Sequence, residues 1–419
     1  MKRLVLWSVC LMALALLSGS VQADAVDLPL WLKLAHWFDP RTSPFIPIPE
    51  IATDPNGGTT VGLLPVMLFT DAHQQIRQIL APDLTDNPSL GVGGTLRFLS
   101  YPSADNQWYA IAGAAQHIAR TVDLLYSTGL TRQQWWSFDG RFFFERDPTE
   151  RFFGLGNHSK SGNETNYTTE QIYADARFGL NLTPELQVAL DERPRFVRIQ
   201  PGAFTSLPFT GKFFPKLKGL SGNNELLNRL IVSYDTRDSI TIPTRGSLLA
   251  VFGGIADQHF LSSVSYTLFG AEALHYIPLS KRVTLAGHLC IRYMPVGKQV
   301  PFWALSRLGG DRSVLGYRQP LRGFGSGRFV DNNLFAANLE LRTRVFEANI
   351  FTTHGILELA PFVDVGRVFH TLSDDPLSHL HPVGGLGFRG IAEPFVVGYV
   401  DIGYGSEGFA VFSGINYPF

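Results

Sequence analysis

Hydrophobic and polar residues alternate along most of this chain with a period of two. Over 283–293, Val283, Leu285, Leu289, Ile291 and Tyr293 share one face, while Thr284, His288, Cys290 and Arg292 share the other. Residues 334–345 repeat the pattern, with Phe335, Ala337, Leu339 and Leu341 set against Asn338, Glu340, Arg342 and Arg344. In 357–369, Leu359, Val363 and Val365 oppose Glu358, Asp364 and Gly366. A strand turns successive side chains to opposite faces, so each window has one oily and one wet face; helical spacing fits poorly. The same reading gives strands near 60–70, 89–101, 104–116, 118–127, 133–145, 165–180, 184–198, 226–236, 246–256, 262–277, 283–294, 333–346, 356–369, 382–391, 395–405 and 408–419. There are sixteen of them, an even number, with lengths that suit tilted strands crossing a bilayer; in place of the first, 74–82 could pair instead.

The connections alternate in length. Short links at Thr183-Pro184, 278–282 and Ala392-Glu393-Pro394 lie between long ones at 146–164, 200–224, 295–332 and 371–381. Short periplasmic turns and long external loops produce this alternation, which puts both termini on the periplasmic side. Composition agrees. The chain is 45% hydrophobic but only 17% charged, below the roughly 25% of an average soluble domain. Beyond the N-terminus no run reaches the ~20 apolar residues of a spanning helix. Apolar content spread at period two predicts an all-β fold: a transmembrane antiparallel β-barrel.

The ends refine this. Lys2 and Arg3, the apolar run 4–17 and the small-x-small site Val21-Gln22-Ala23 predict a signal peptide over 1–23, with the mature chain starting at Asp24. Residues 24–58 form a segment ahead of a barrel assigned to 59–419. Its apolar stretch 29–38, with Trp31 and Trp37, fits a short helix at the rim or in the lumen, or equally a packed extended arm. The Pro-rich 44–49 reads as a stiff lead into the first strand. At the other end Phe409, Val411, Ile415, Tyr417 and Phe419 alternate with Ala410, Gly414, Asn416 and Pro418. Tyr417 and Phe419 are the candidate C-terminal strand signal, in the form that outer-membrane assembly machinery reads.

Chemistry narrows the function classes. A net charge of −1, with Lys and Arg interleaved among acids, offers nothing to nucleic acid. No G-x-S-x-G elbow or P-loop occurs, and the histidines lack zinc spacing, so no catalytic set, metal or cofactor is expected. His288 is the one tempting lumen histidine, and a hydrogen-bonded lumen residue is its simpler reading.

Several segments resemble the BamA/TamA-type bacterial surface antigen family. Ser233-Tyr234-Asp235-Thr236-Arg237-Asp238 with Pro243-Thr244-Arg245-Gly246 looks like that family's periplasmic turn. Asp and Arg flank a turn whose donors need partners, Pro presets φ and Gly accepts a positive φ. The stretch 308–318, containing Gly309 and Gly310, and then 321–329, containing Arg322, Gly323 and Phe324, resemble the family's long sixth external loop, which folds into the lumen and carries an Arg-Gly-aromatic tip. Asn338-Leu339-Glu340-Leu341-Arg342, Phe362-Val363-Asp364-Val365-Gly366 and Gly384-Gly385-Leu386-Gly387-Phe388-Arg389 follow in order. The resemblance covers roughly 225–419; the N-terminal half shares only general barrel character.

Alternation alone puts Glu340 and Asp364 on the wet faces of neighbouring strands, where both can meet one guanidinium from the loop. Arg suits that planar fork and Lys does not. The resemblance implies the same role, a lock on the inserted loop. Counted from Gly309-Gly310 the expected arginine falls on Leu315; counted back from Gly327-Arg328-Phe329 it falls on Arg322. Leu315 cannot bind a carboxylate, so Arg322 is favoured, with Arg318 as the substitute.

The resemblance implies a part in inserting or translocating protein or lipid at the outer membrane. The family's periplasmic POTRA modules have no room between Asp24 and Thr59, since a domain needs at least roughly 50 residues. The rival is a stand-alone gated pore or structural membrane protein; an outer-membrane hydrolase is a distant third. The partners expected are outer-membrane lipid including lipopolysaccharide, the barrel assembly machinery during biogenesis, and a periplasmic partner or a second copy of the chain.

Overall fold

The computed structural model describes residues 46–419 except 55, 72–75, 296–299, 312, 315–316, 319–320, 351–352 and 393–395. The expected signal peptide and residues 24–45 of the N-terminal segment lie outside the described residues. The strands before the longest loop are β1 (Ile46–Asp54), β2 (Gly58–Thr70), β3 (Ile76–Asn87), β4 (Gly91–Ser103), β5 (Asn106–Ala115), β6 (Arg120–Thr128), β7 (Trp136–Phe152), β8 (Thr165–Asn181), β9 (Leu186–Pro201), β10 (Asn223–Asp235), β11 (Gly246–Ala256), β12 (Tyr266–Pro278) and β13 (Val283–Tyr293). Four short strands lie inside that loop: β14 (Ser306–Leu308), β15 (Ser313–Val314), β16 (Tyr317–Arg318) and β17 (Phe329–Asp331). The wall resumes with β18 (Asn333–Ile350), β19 (Thr353–Phe369), β20 (His381–Ala392), β21 (Val396–Gly405) and β22 (Gly408–Ile415).

Each wall strand pairs antiparallel with the next, and β13 passes directly to β18. At Thr53↔Val411 the first strand also meets the last, so the sheet returns on itself. That seam is thin: among the described residues one register pair joins β1 to β22, whereas β21 and β22 share a ladder from Gly398↔Ile415 to Gly405↔Gly408.

Among the described residues the main sheet has eighteen strands, which corrects the expected sixteen. The first extra strand is β1, inside the segment assigned as a lead, so the sheet starts before residue 59. Pro47 and Pro49 hid it, because proline lacks a ladder donor. Placed at every second residue, however, they put the missing donors on one side of the strand, and the other side pairs with β2 from Ile46↔Val66 to Asp54↔Gly58. The second is β3, where Pro82 and Asp83 break the apolar alternation. With two strands added, the 294–332 loop is the seventh outer connection among the described residues rather than the sixth.

Alternation holds around the wall. Leu84, Leu96, Leu124, Phe142, Leu190, Leu230, Val251, Phe269, Leu289 and Val363 face outward and stay exposed. Asp83, Asp123, Asp191, Arg229, His288, Glu340 and Asp364 face inward and are buried. Exposed aromatics gather near the strand ends: Phe69, Trp108, Tyr126, Phe178 and Tyr234 at the short-turn end, Tyr404 and Phe409 at the other. An apolar outer band between aromatic girdles is the surface a bilayer requires.

The end of the chain departs from expectation. The closing strand stops at Ile415 rather than running to residue 419. Asn416 takes φ 75°, a left-handed conformation that Asn tolerates, and Pro418 cannot extend the ladder. Tyr417 and Phe419 therefore turn inward and are buried. The Tyr417 hydroxyl donates to Glu358 (3.3 Å), and the Phe419 ring stacks on His288 at 5.3 Å. His288 itself hydrogen-bonds Asn338 (2.7 Å) and Glu272 (3.0 Å).

The turn between β10 and β11 shows why its residue types recur. Asp235 accepts two hydrogen bonds from the Arg237 guanidinium, at 2.9 and 2.7 Å. Asp238 accepts from the Thr244 N–H (2.9 Å), the Arg245 N–H (3.3 Å) and the Thr244 hydroxyl (2.5 Å). Pro243 is buried beneath it. Gly246 sits at φ 93°, where a Cβ would lie 2.2 Å from the Thr236 carbonyl oxygen. Partial burial works against ionised Asp238, but these donors outweigh it and hold the carboxyl below its ordinary range. A lowered pKa stabilises the fold above the ordinary carboxyl range, and the gain is lost as the pH falls through the lowered value. Asp238→Ala is expected to cost about 1 kcal/mol, read as a lower urea midpoint in vesicles, with the gap to wild type closing in acid.

Candidate functional site

The loop between β13 and β18 is a folded object. Its strands β14 and β17 pair from Ser306↔Asp331 to Leu308↔Phe329, and β15 pairs with β16. Gly309 (φ 123°) and Gly310 (φ 80°) make the bend between them. The Gly310 N–H donates to the Phe324 carbonyl (3.0 Å) and the Leu321 N–H to the Gly310 carbonyl (2.9 Å), so the two expected halves of the tip form one unit.

Apolar residues hold this unit against the inner wall. Phe302, Trp303 and Leu305 pack with Phe152, Tyr167, Val197, Leu227 and Leu268. Further along, Leu308, Leu321, Phe324 and Phe329 pack with Cys290, Ala336, Phe362 and Val383. Gly323 lies so close to β21 that a Cβ would come within 2.7 Å of the Gly405 nitrogen.

Arg322 projects from this tip, and its side chain has no exposed surface. It meets Asp364 as a fork: Nε to one carboxylate oxygen at 2.9 Å, Nη2 to the other at 2.7 Å. Its backbone N–H donates to the same carboxylate at 3.1 Å. Nη1 reaches Glu340 at 2.5 Å and Asp401 at 2.9 Å. The guanidinium also lies over the Phe362 ring, 3.6 Å from its centroid. The three expected residues are thus brought together. The side chain of Arg318 and the whole of Leu315 lie outside the described residues.

Sequence reasoning missed half of the cluster. Asp401 is a third carboxylate, from β21; Arg342 binds Glu340 at 2.9 Å, and Arg389 binds Glu340 at 3.1 Å and also Asp401. Alternation along β21 does put Asp401 inside with Gly403 and Gly405, so a lone acid among inward glycines was the available signal. Three guanidiniums and three carboxylates form this buried network, which balances in charge. Four strands and the loop meet in it. The tail joins too: Arg342 stacks over Tyr417 at 3.8 Å and donates to the Phe419 carbonyl at 3.1 Å. Nearer the outer rim Arg328 ties the loop to two neighbours, binding Glu407 (2.7 Å) and the Ser159 carbonyl (2.8 Å).

An antiparallel barrel with one loop pinned inside it can now be set beside known proteins. The Omp85 superfamily domain model matches residues 105–387. The chain belongs to the Omp85 superfamily. Its fold is similar to the crystal structure of BamA from Haemophilus ducreyi lacking POTRA domains 1–3, with 14% identity and a TM-score of 0.52, over 97% of this chain and 81% of that one. CdiB from Escherichia coli aligns with 10% identity and a TM-score of 0.48, over 87% of this chain and 61% of that one. No curated protein matches it in sequence. This Omp85 chain is an outer-membrane β-barrel protein.

Proposed function

We propose that this Omp85 barrel assists insertion or translocation of protein or lipid at the outer membrane, and that its resting lumen is closed by the loop that Arg322 locks. The observation that carries this reading is the Arg322 cluster. A fixed plug demands a partner on the wall at a definite place, and Arg322 finds three carboxylates from β18, β19 and β21. The one-pair seam between β1 and β22 supports lateral rather than axial passage: fewer backbone hydrogen bonds must break there than at any full ladder. An open pore needs a water-filled lumen, and the filling of this one by buried loop and tail side chains argues against steady conduction.

Two assays on the purified full chain test this together. In planar bilayers we expect low, intermittent conductance from the wild type. In liposomes we expect it to speed insertion of a second, unfolded barrel several-fold over empty vesicles. Steady conductance without such acceleration would overturn the proposal in favour of a stand-alone pore.

A further inference from the structure

The outer face of the wall carries a depression that the lumen chemistry does not use. It has a volume of about 380 Å³; Ser247, Leu249, Ala273, His275, Gly287 and Leu289 line it from the outward face, along with Leu274, His288 and Asn338, whose side chains are buried on the lumen side. Register explains its shape. Ala273 lies between Leu249 on β11 and Leu289 on β13, and His275 lies between Ser247 and Gly287. The missing side chain at Gly287 leaves a notch between β12 and β18, with Leu339 beyond it.

The floor is apolar, but one end is polar. Ser247 Oγ and His275 Nδ1 are 2.7 Å apart, and the outward neighbours on β12 and β13 are aliphatic or small, with Tyr234 of β10 opposite Leu249. His275 stands three positions before the end of β12 at Pro278, roughly 10 Å along the strand. His275 therefore stands close to the short-turn rim of the wall. Just beyond it, the turn joining β12 to β13 presents Lys281 and Arg282, both exposed. An open apolar depression, an imidazole near the rim and two exposed cations in the adjoining turn therefore succeed one another from β12 into the β12–β13 connection.

We propose that this groove binds one anionic glycerophospholipid of the periplasmic leaflet. An acyl chain lies over Ala273 and Gly287 between Leu249 and Leu289. The phosphate, the lipid's one charged group, sits between His275 Nε2 and the cationic ends of Lys281 and Arg282, and the neutral headgroup alcohol faces water. Charge complementarity selects this occupant: a zwitterionic lipid fills the same apolar space, but its own ammonium offsets what its phosphate gains from the two cations.

Native mass spectrometry of the detergent-purified chain, titrated with phosphatidylglycerol or with phosphatidylcholine of identical acyl chains, tests the site. The wild type is expected to bind phosphatidylglycerol roughly tenfold more tightly. The variant His275→Ala/Lys281→Gln/Arg282→Gln should lose that preference. Gly287→Leu keeps every charge and fills the notch, and a Cβ there meets nothing closer than 3.9 Å, so the barrel should tolerate it. It should weaken phosphatidylglycerol binding several-fold. Equal affinity for the two lipids in the wild type, a preference surviving in the triple variant, or unchanged binding in Gly287→Leu would each overturn the proposal.

Discussion

Arg322→Ala should free the 295–332 loop while leaving the barrel able to insert. In the wild type the guanidinium completes a neutral network with Glu340, Asp364 and Asp401, all without exposed side-chain surface. Removing it leaves Arg342 and Arg389 with Glu340 and Asp401, and takes from buried Asp364 the guanidinium that meets it. Breaking a buried pair by deleting one partner costs about 3–5 kcal/mol, because the remaining charge stays desolvated. The structure's cheapest relief is to let water in, which means lifting the loop. The wall ladders do not depend on Arg322, so heat-modifiable migration should persist. Protease cleavage within 295–332 should speed up at least tenfold. Arg322→Lys, which keeps the charge and loses the fork, should fall between the two. Cleavage at the wild-type rate in Arg322→Ala would show that the cluster does not hold the loop.

Gly403→Val should have a comparable effect by a different route. A Cβ at Gly403 would lie 2.0 Å from the Arg322 carbonyl oxygen and 2.6 Å from its carbon. Both are backbone atoms and cannot swing aside, so either β21 or the loop tip must move. The loop is the softer element, since β21 is paired along its length with β20 and β22. Every charge of the cluster remains, yet the tip cannot seat Arg322 among them. We expect faster cleavage within 295–332 and more frequent channel openings than in the wild type. Gly384→Ala on the neighbouring strand is the control, because a Cβ there meets nothing within 4 Å. Wild-type protection in Gly403→Val would mean that the loop tip does not rest on β21.

The two predictions show how far the sequence could be read. Period-two alternation exposes the barrel because every wall strand must have one lipid face and one wet face. It also put Glu340 and Asp364 inside, from neighbouring strands, before any pairing was known. The limits came where a residue's local preference opposed its tertiary role. Pro47 and Pro49 argue against a strand, and only the choice of which side β2 occupies makes β1 acceptable. The apolar alternation of 408–419 continues past Ile415, and only the left-handed Asn416 turns Tyr417 and Phe419 inward. Asp401 shows in the sequence only as a lone acid among the inward glycines of β21; its pairing with Arg389 is a cross-strand relation that a single sequence does not display.

The central claim is that the described residues of 300–331 are a folded plug held in the lumen, and amide hydrogen exchange on the wild-type chain in lipid vesicles tests it most directly. Peptides covering Leu308 and Leu321–Phe329 should exchange as slowly as those from β13 and β18, over hours. The outer connection 257–265 should exchange within seconds to minutes. Exchange of 306–331 as fast as that of 257–265 would contradict a locked loop and, with it, the closed resting lumen.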